Sequence, residues 1–181
     1  MRELADADRI RRFMRALGQA ARVDGDCYLT GGTTAVLIGW RPTTLDVDIE
    51  LEPDQDEVLR ALPSIKEELA VNVELASPAD FIPLPSGWRE RSLFVSREGH
   101  LSFRHFDLYS QALAKLERGH AQDMQDVRAM LDRGLVDAER LRACFEEIEP
   151  ELYRFPAVDA AGFRGSVEAF VRGETRKTDP L

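Results

Sequence analysis

Cysteine, histidine and tryptophan are scarce in this chain, basic residues are outnumbered by acidic ones, and no long apolar run occurs. The two cysteines, Cys27 and Cys144, lie far apart, with no CxxC pair and no neighbouring Cys/His set. That excludes a disulfide framework and a structural zinc site, and both are expected to be buried free thiols. The three histidines, His100, His105 and His120, form no metal-spaced pair and are assigned no chemistry. Lys and Arg number 24 against 33 Asp and Glu, a net charge of -9. A general nucleic-acid coat needs the opposite surplus, so only a local basic face is left open. No segment approaches the roughly 18 apolar residues of a membrane span. The opening MRELADADRI is acidic and polar rather than a signal h-region, so a cytoplasmic protein with no membrane partner is expected.

What is present is a globular composition. Of 181 residues, 44% are apolar, enough for one core with a helical extension and without repeats or low-complexity segments. From Ala5 to Val23, the residues Ile10, Phe13, Met14, Leu17 and Ala21 recur at helical spacing. Gly25 ends that helix and leads into a strand over Cys27 to Thr30. Gly31 and Gly32 follow at once, and TTAVLIGW reads as a short buried helix. Glycine permits positive φ and close approach, and backbone N–H groups at a helix start, with hydroxyls such as Thr33 and Thr34, can cradle a triphosphate.

In the next strand, Leu45 to Leu51, the period is two. Leu45, Val47, Ile49 and Leu51 face one way, Asp46, Asp48 and Glu50 the other. Parallel carboxylates about 7 Å apart along a strand repel one another unless water or a cation intervenes. Mg2+ suits them, since it takes hard oxygen ligands and leaves room for phosphates.

Gly31-Gly32, thirteen intervening residues and Asp46-Val47-Asp48-Ile49 resemble the motif of the nucleotidyltransferase fold, the DNA polymerase beta-like superfamily. The string GGTTAVLIGWRPTTLDVDI is similar to small bacterial nucleotidyltransferases related to AbiEii abortive-infection toxins, with Arg41 and Thr44 falling in an R-x-x-T-x-D-x-D run. Thr30 departs from the apolar residue that commonly precedes the first glycine. The resemblance implies an α/β (α+β) fold, a small mixed sheet flanked by helices with a C-terminal helical extension. Residues 1–133 are then the core, 134–173 the extension packed on it and 174–181 a polar, mobile tail.

It also implies site residues. Asp46 and Asp48 hold Mg2+, while Gly31, Gly32, Thr33, Arg41 and Thr44 bind the nucleotide. Glu74 in the expected strand Val71 to Leu75 is the third carboxylate, with Asp107 its rival. Further along, Lys115 and Arg118 share one helix face, as do Asp123 and Asp126 on the next helix. This is similar to the Lys-x-x-Arg and Asp-x-x-Asp pairs of AbiEii-type enzymes, where the lysine contacts the triphosphate and an aspartate supports the site. An interhelix ion-pair cluster is the other reading of the same residues.

The implied activity is transfer of a nucleoside monophosphate from an NTP to a hydroxyl on tRNA or protein, as the toxin-like component of a toxin–antitoxin pair with a cognate antitoxin. Two alternatives stay open: a non-catalytic nucleotide-binding partner module, and a small-molecule (antibiotic) nucleotidyltransferase. Arg9, Arg12, Arg89, Arg91 and Arg104 are numerous enough for a local RNA-facing patch. The remaining elements are a helical region after Pro53 interrupted at Pro63-Ser64, a Pro-rich loop anchored by Trp88, and a hairpin turning at Glu98-Gly99.

Overall fold

The computed structural model describes residues 3–173, so the expected tail lies outside the described residues. The chain condenses into two compact units. Of the described residues, one is formed by 3–77 with Trp88–Asp107, the other by Pro78–Gly87 with 108–173.

The first unit runs α1 (Ala7–Ala20), β1 (Gly25–Thr30), α2 (Gly31–Ile38), β2 (Asp46–Glu52), α3 (Asp56–Glu68), β3 (Asn72–Leu75), α4 (Trp88–Arg91), β4 (Leu93–Glu98) and β5 (Leu101–His105). The five strands form one mixed sheet in the order β3-β2-β1-β5-β4. β1 is antiparallel to β2 and parallel to β5, β2 is parallel to β3, and β4 is antiparallel to β5. Mixed pairing follows from the chain itself: α3 links the parallel pair β2 and β3, a short turn links the antiparallel pair β4 and β5, and α2 with the loop after it returns the chain antiparallel from β1 to β2.

One face of this sheet is the core. Cys27, Leu29, Val47, Ile49, Leu51, Val73, Leu101 and Phe103 are buried there with Ile10, Phe13, Met14 and Leu17 of α1 and Val58, Leu62 and Ile65 of α3. The expected apolar stripe of α1 is therefore the buried one. Asp6 starts that helix by accepting the Arg9 backbone N–H at 2.8 Å. The opposite sheet face carries Asp26, Tyr28 and Thr30 of β1, in register with Glu52, Glu50 and Asp48 of β2.

Three expectations change. Leu45 stands outside β2 and is 60% exposed, because the strand begins only where Asp46 pairs with Asn72. α2 begins at Gly31 itself rather than after the glycines. Pro63 does not interrupt α3, which is a single helix. The missing N–H of a helical proline costs roughly 3 kcal/mol. Val58 and Leu62 before it and Ile65 after it are buried, at about 1.5–3 kcal/mol each, and Pro63 itself faces out.

The second unit is helical: α5 (Leu108–Arg118), α6 (Ala121–Asp132), α7 (Ala138–Ile148) and α8 (Ala160–Val171), with 3-10 segments at Pro78–Asp80 and Glu149–Arg154. The expected helices beyond Gly134 are thus present, and Phe145 meets Phe163 edge-on at 4.8 Å between ring centroids. Both cysteines are free and buried. Among the described residues no helix is long and apolar enough to cross a membrane.

Candidate active site

The β1–α2 junction explains why two glycines stand there. Gly31 has φ +60, and a Cβ on it would lie 2.6 Å from Asp48 Oδ2. A Cβ on Gly32 would lie 2.0 Å from Thr44 Oγ1. The first glycine lets a carboxylate approach the start of α2, and the second lets the α2–β2 loop close over it. Thr44 is held from both sides. It exchanges backbone hydrogen bonds with Ala5, at 2.8 and 2.9 Å, and its hydroxyl donates to the Asp46 carbonyl at 3.0 Å. Half-buried Arg41 folds back beside the same glycine, its Nη1 3.4 Å from the position a Gly32 Cβ would take.

The two threonines of α2 differ. Thr34 Oγ1 donates to the Leu29 carbonyl at 3.0 Å and also lies 3.1 Å from His105 Nδ1. The hydroxyl has one proton to give, so His105 Nδ1 is the donor in the second bond. Burial holds that imidazole down to about 4, hence neutral. Thr33 Oγ1 is fully buried and has no hydrogen-bond partner among the described residues. Thr30, the residue before α2, makes no side-chain cap, so the first N–H groups of that helix are not taken up by it.

On β2, Asp46 and Asp48 are half-buried and share the face away from the core. β3 lies beside them, with Asn72 in register with Asp46 and Glu74 with Asp48. Asn72 Nδ2 donates to Asp46 Oδ1 at 2.5 Å. Glu74 occupies the same sheet face but is exposed, and among the described residues no three His, Cys, Asp or Glu side chains gather at metal-holding spacing. Its rival Asp107 is 1% exposed and held in a two-pronged pair by Arg91, Nε–Oδ1 3.0 Å and Nη2–Oδ2 2.9 Å.

Comparison with known proteins adds one finding. Residues 8–161 match a family described as a nucleotidyltransferase of unknown function (DUF6036). The chain belongs to this family. No curated protein and no solved structure matches it.

In this nucleotidyltransferase family member, the Lys115 set lies within the second unit and forms one cluster. Lys115 Nζ donates to Asp126 Oδ2 at 2.7 Å and to Asp123 Oδ1 at 3.4 Å, and Arg118 binds Asp123 with Nε and Nη2 at 2.7 and 2.6 Å. Lys115, Asp123 and Asp126 are all buried. Burial raises the Asp123 pKa, but the Arg118 hydrogen bonds and the Lys115 charge outweigh it, leaving the carboxyl below its ordinary value.

Most arginines considered for an RNA-facing patch are engaged within the chain. Arg9 pairs with Glu3, Arg89 with Glu52, Arg91 with Asp107 and Arg104 with Asp26. Trp88 acts as the anchor of α4: it stacks on Phe106 at 4.6 Å and meets Tyr28 edge-on at 5.2 Å, with the Arg89 guanidinium 4.3 Å from its ring. Asn72 is the site residue that sequence reasoning passed over. The available signal was an amide at the start of a strand, where asparagine is depleted.

Proposed function

We propose that the chain is a Mg2+-dependent nucleotidyltransferase that moves a nucleoside monophosphate from an NTP to an acceptor hydroxyl. The observation that carries this reading is the approach of Asp48 to the backbone of Gly31, which joins a carboxylate pair to the start of a helix in one place. The donor set fits the ion: Asp46 and Asp48 offer hard carboxylate oxygens, half-buried and on one face. When bound there, the cation would supply positive charge to offset that of the phosphates.

The chain's own groups do the rest. N–H groups at the start of α2 and the buried Thr33 hydroxyl receive phosphate oxygens, and Arg41 adds positive charge beside Gly32. Thr44 keeps the loop and the Asp46 backbone in place for that binding. The resemblance gives Lys115 the role of a charge for the triphosphate; in this structure its ammonium is paired with Asp123 and Asp126. Glu74 would join as a third carboxylate by turning from solvent. Catalysis of this type rests on positioning and electrostatics and uses no protein nucleophile.

The acceptor hydroxyl on tRNA or protein, and a toxin-like role opposed by an antitoxin, follow from the AbiEii likeness of the motif. Incubation with each labelled NTP, Mg2+ and total tRNA or cell protein tests the reading. Transfer that falls by at least about a thousandfold in Asp48→Ala, close to 4 kcal/mol of barrier, supports it. A second reading, a nucleotide-binding module without turnover, is favoured by the exposed Glu74 and the Arg91-bound Asp107. NTP binding without transfer to any acceptor would decide for it.

A further inference from the structure

We infer that Asn72 positions Asp46 for cation binding and restricts it to one coordinating oxygen, so that the site favours small octahedral ions over Ca2+. The inference rests on the proposed reading of the β2 face as a cation site. Asn72 and Asp46 are register partners on the parallel strands β3 and β2, so their side chains leave the same face of the sheet. The Asn72 amide takes Asp46 Oδ1 at 2.5 Å. Asp46 Oδ2 has no hydrogen-bond or ion-pair partner among the described residues. The amide thus engages one lone pair of one carboxylate oxygen, fixes the plane of the group and leaves Oδ2 as the oxygen fully open to an ion.

That division has a chemical consequence. Mg2+ and Mn2+ accept one oxygen from each carboxylate in near-ideal octahedral geometry, whereas Ca2+ takes six to eight oxygens and commonly uses both from one carboxylate. An Asp46 with Oδ1 already committed suits the former. The rest of the backbone at this point is equally fixed, since the Thr44 hydroxyl holds the Asp46 carbonyl. Asparagine is a poor strand residue, so its place in a four-residue strand finds a reason in the side chain rather than in the fold.

The test measures Mn2+ binding to the full chain without nucleotide, by electron paramagnetic resonance, and displaces the ion with Mg2+ and with Ca2+. Asn72→Ala and Asn72→Val are compared with the parent and with Asp46→Ala. Both Asn72 variants should bind Mn2+ about tenfold more weakly, the usual loss when a residue supporting a metal ligand is removed. Ca2+ should gain on Mg2+ as a competitor in both. Asn72→Val should at the same time melt no lower than the parent, because valine is the better strand former, which separates positioning from a structural role. Unchanged Mn2+ affinity and an unchanged Mg2+ to Ca2+ preference in both variants, with binding lost in Asp46→Ala, would overturn the inference alone. Parent-like binding in Asp46→Ala would overturn the cation-site reading beneath it.

Discussion

The acids of β2 and the acids of α6 are closely spaced pairs in different units, and they are neutralised in opposite ways. Asp123 and Asp126 are buried with Lys115 and Arg118 beside them, two positive charges for two negative ones. Asp46 receives only a neutral amide, and its neighbours across β2 and β3 are Asp48 and Glu74. A constellation closed on itself holds a fold together. In the proposed reading a cation from outside offsets the charge of the β2 acids, and in its absence their cost to the folded chain is like-charge repulsion.

Stability measurements should expose that difference most strongly at Lys115. Removing the cation from buried carboxylates costs about 3–5 kcal/mol, so Lys115→Ala should melt far below the parent. Asp46→Asn removes a charge from an acidic face and should change stability by no more than about 0.5 kcal/mol in either direction. Thermal or urea unfolding of the two variants checks this. Equal losses would mean that the β2 acids are as structural as those of α6.

Acid titration sharpens the contrast further. An unfolded histidine takes up its proton near 6.5, whereas folded His105 stays neutral down to about 4. Stability of the first unit therefore falls as pH drops between those values, by about 3 kcal/mol in all. Asp123 has the opposite sign. Its folded carboxyl lies below the ordinary 3.8, so its contribution is complete at neutral pH and is lost only as pH falls through that lower value. Both tryptophans, Trp40 and Trp88, lie in the first unit. Tryptophan emission should consequently change at higher pH than the helical ellipticity contributed by the second unit, and His105→Gln should reduce the gap. Coincident transitions would show that the two units resist acid together.

Periodicity made the core face of the sheet and the stripe of α1 legible, because burial acts on every second residue of a strand and every third or fourth of a helix. Leu45 was misread by the same rule, since alternation alone does not say where pairing begins. Pro63 was read locally as a break, whereas the decision lay with Val58, Leu62 and Ile65 packing on a sheet built from distant segments. The pairing of Asn72 with Asp46 and of Arg91 with Asp107 depends on strand register and on the placement of α4, neither of which has a local signal. Gly31 and Gly32 were legible as glycines with a purpose. What each makes room for, Asp48 and Thr44, required the folded β2.

The stability effect expected at Gly31 is modest, and it carries the most information about function. Gly31→Ala places a Cβ at φ +60, which costs roughly 1–2 kcal/mol, and pushes against Asp48 Oδ2, the movable end of a side chain. The melting temperature should fall only slightly while the proposed nucleotidyl transfer and cation binding are lost, because the displaced atom belongs to the proposed site. Gly134→Ala is the matched control in the second unit, with φ +67 and nothing within 4 Å of the new Cβ. It bears the same backbone cost and should leave both activities intact. In an Asp48→Ala background Gly31→Ala has no oxygen to displace, so its cost should shrink to that of Gly134→Ala. A double-mutant cycle that instead finds Gly31 and Asp48 independent would mean that the glycine serves the turn alone.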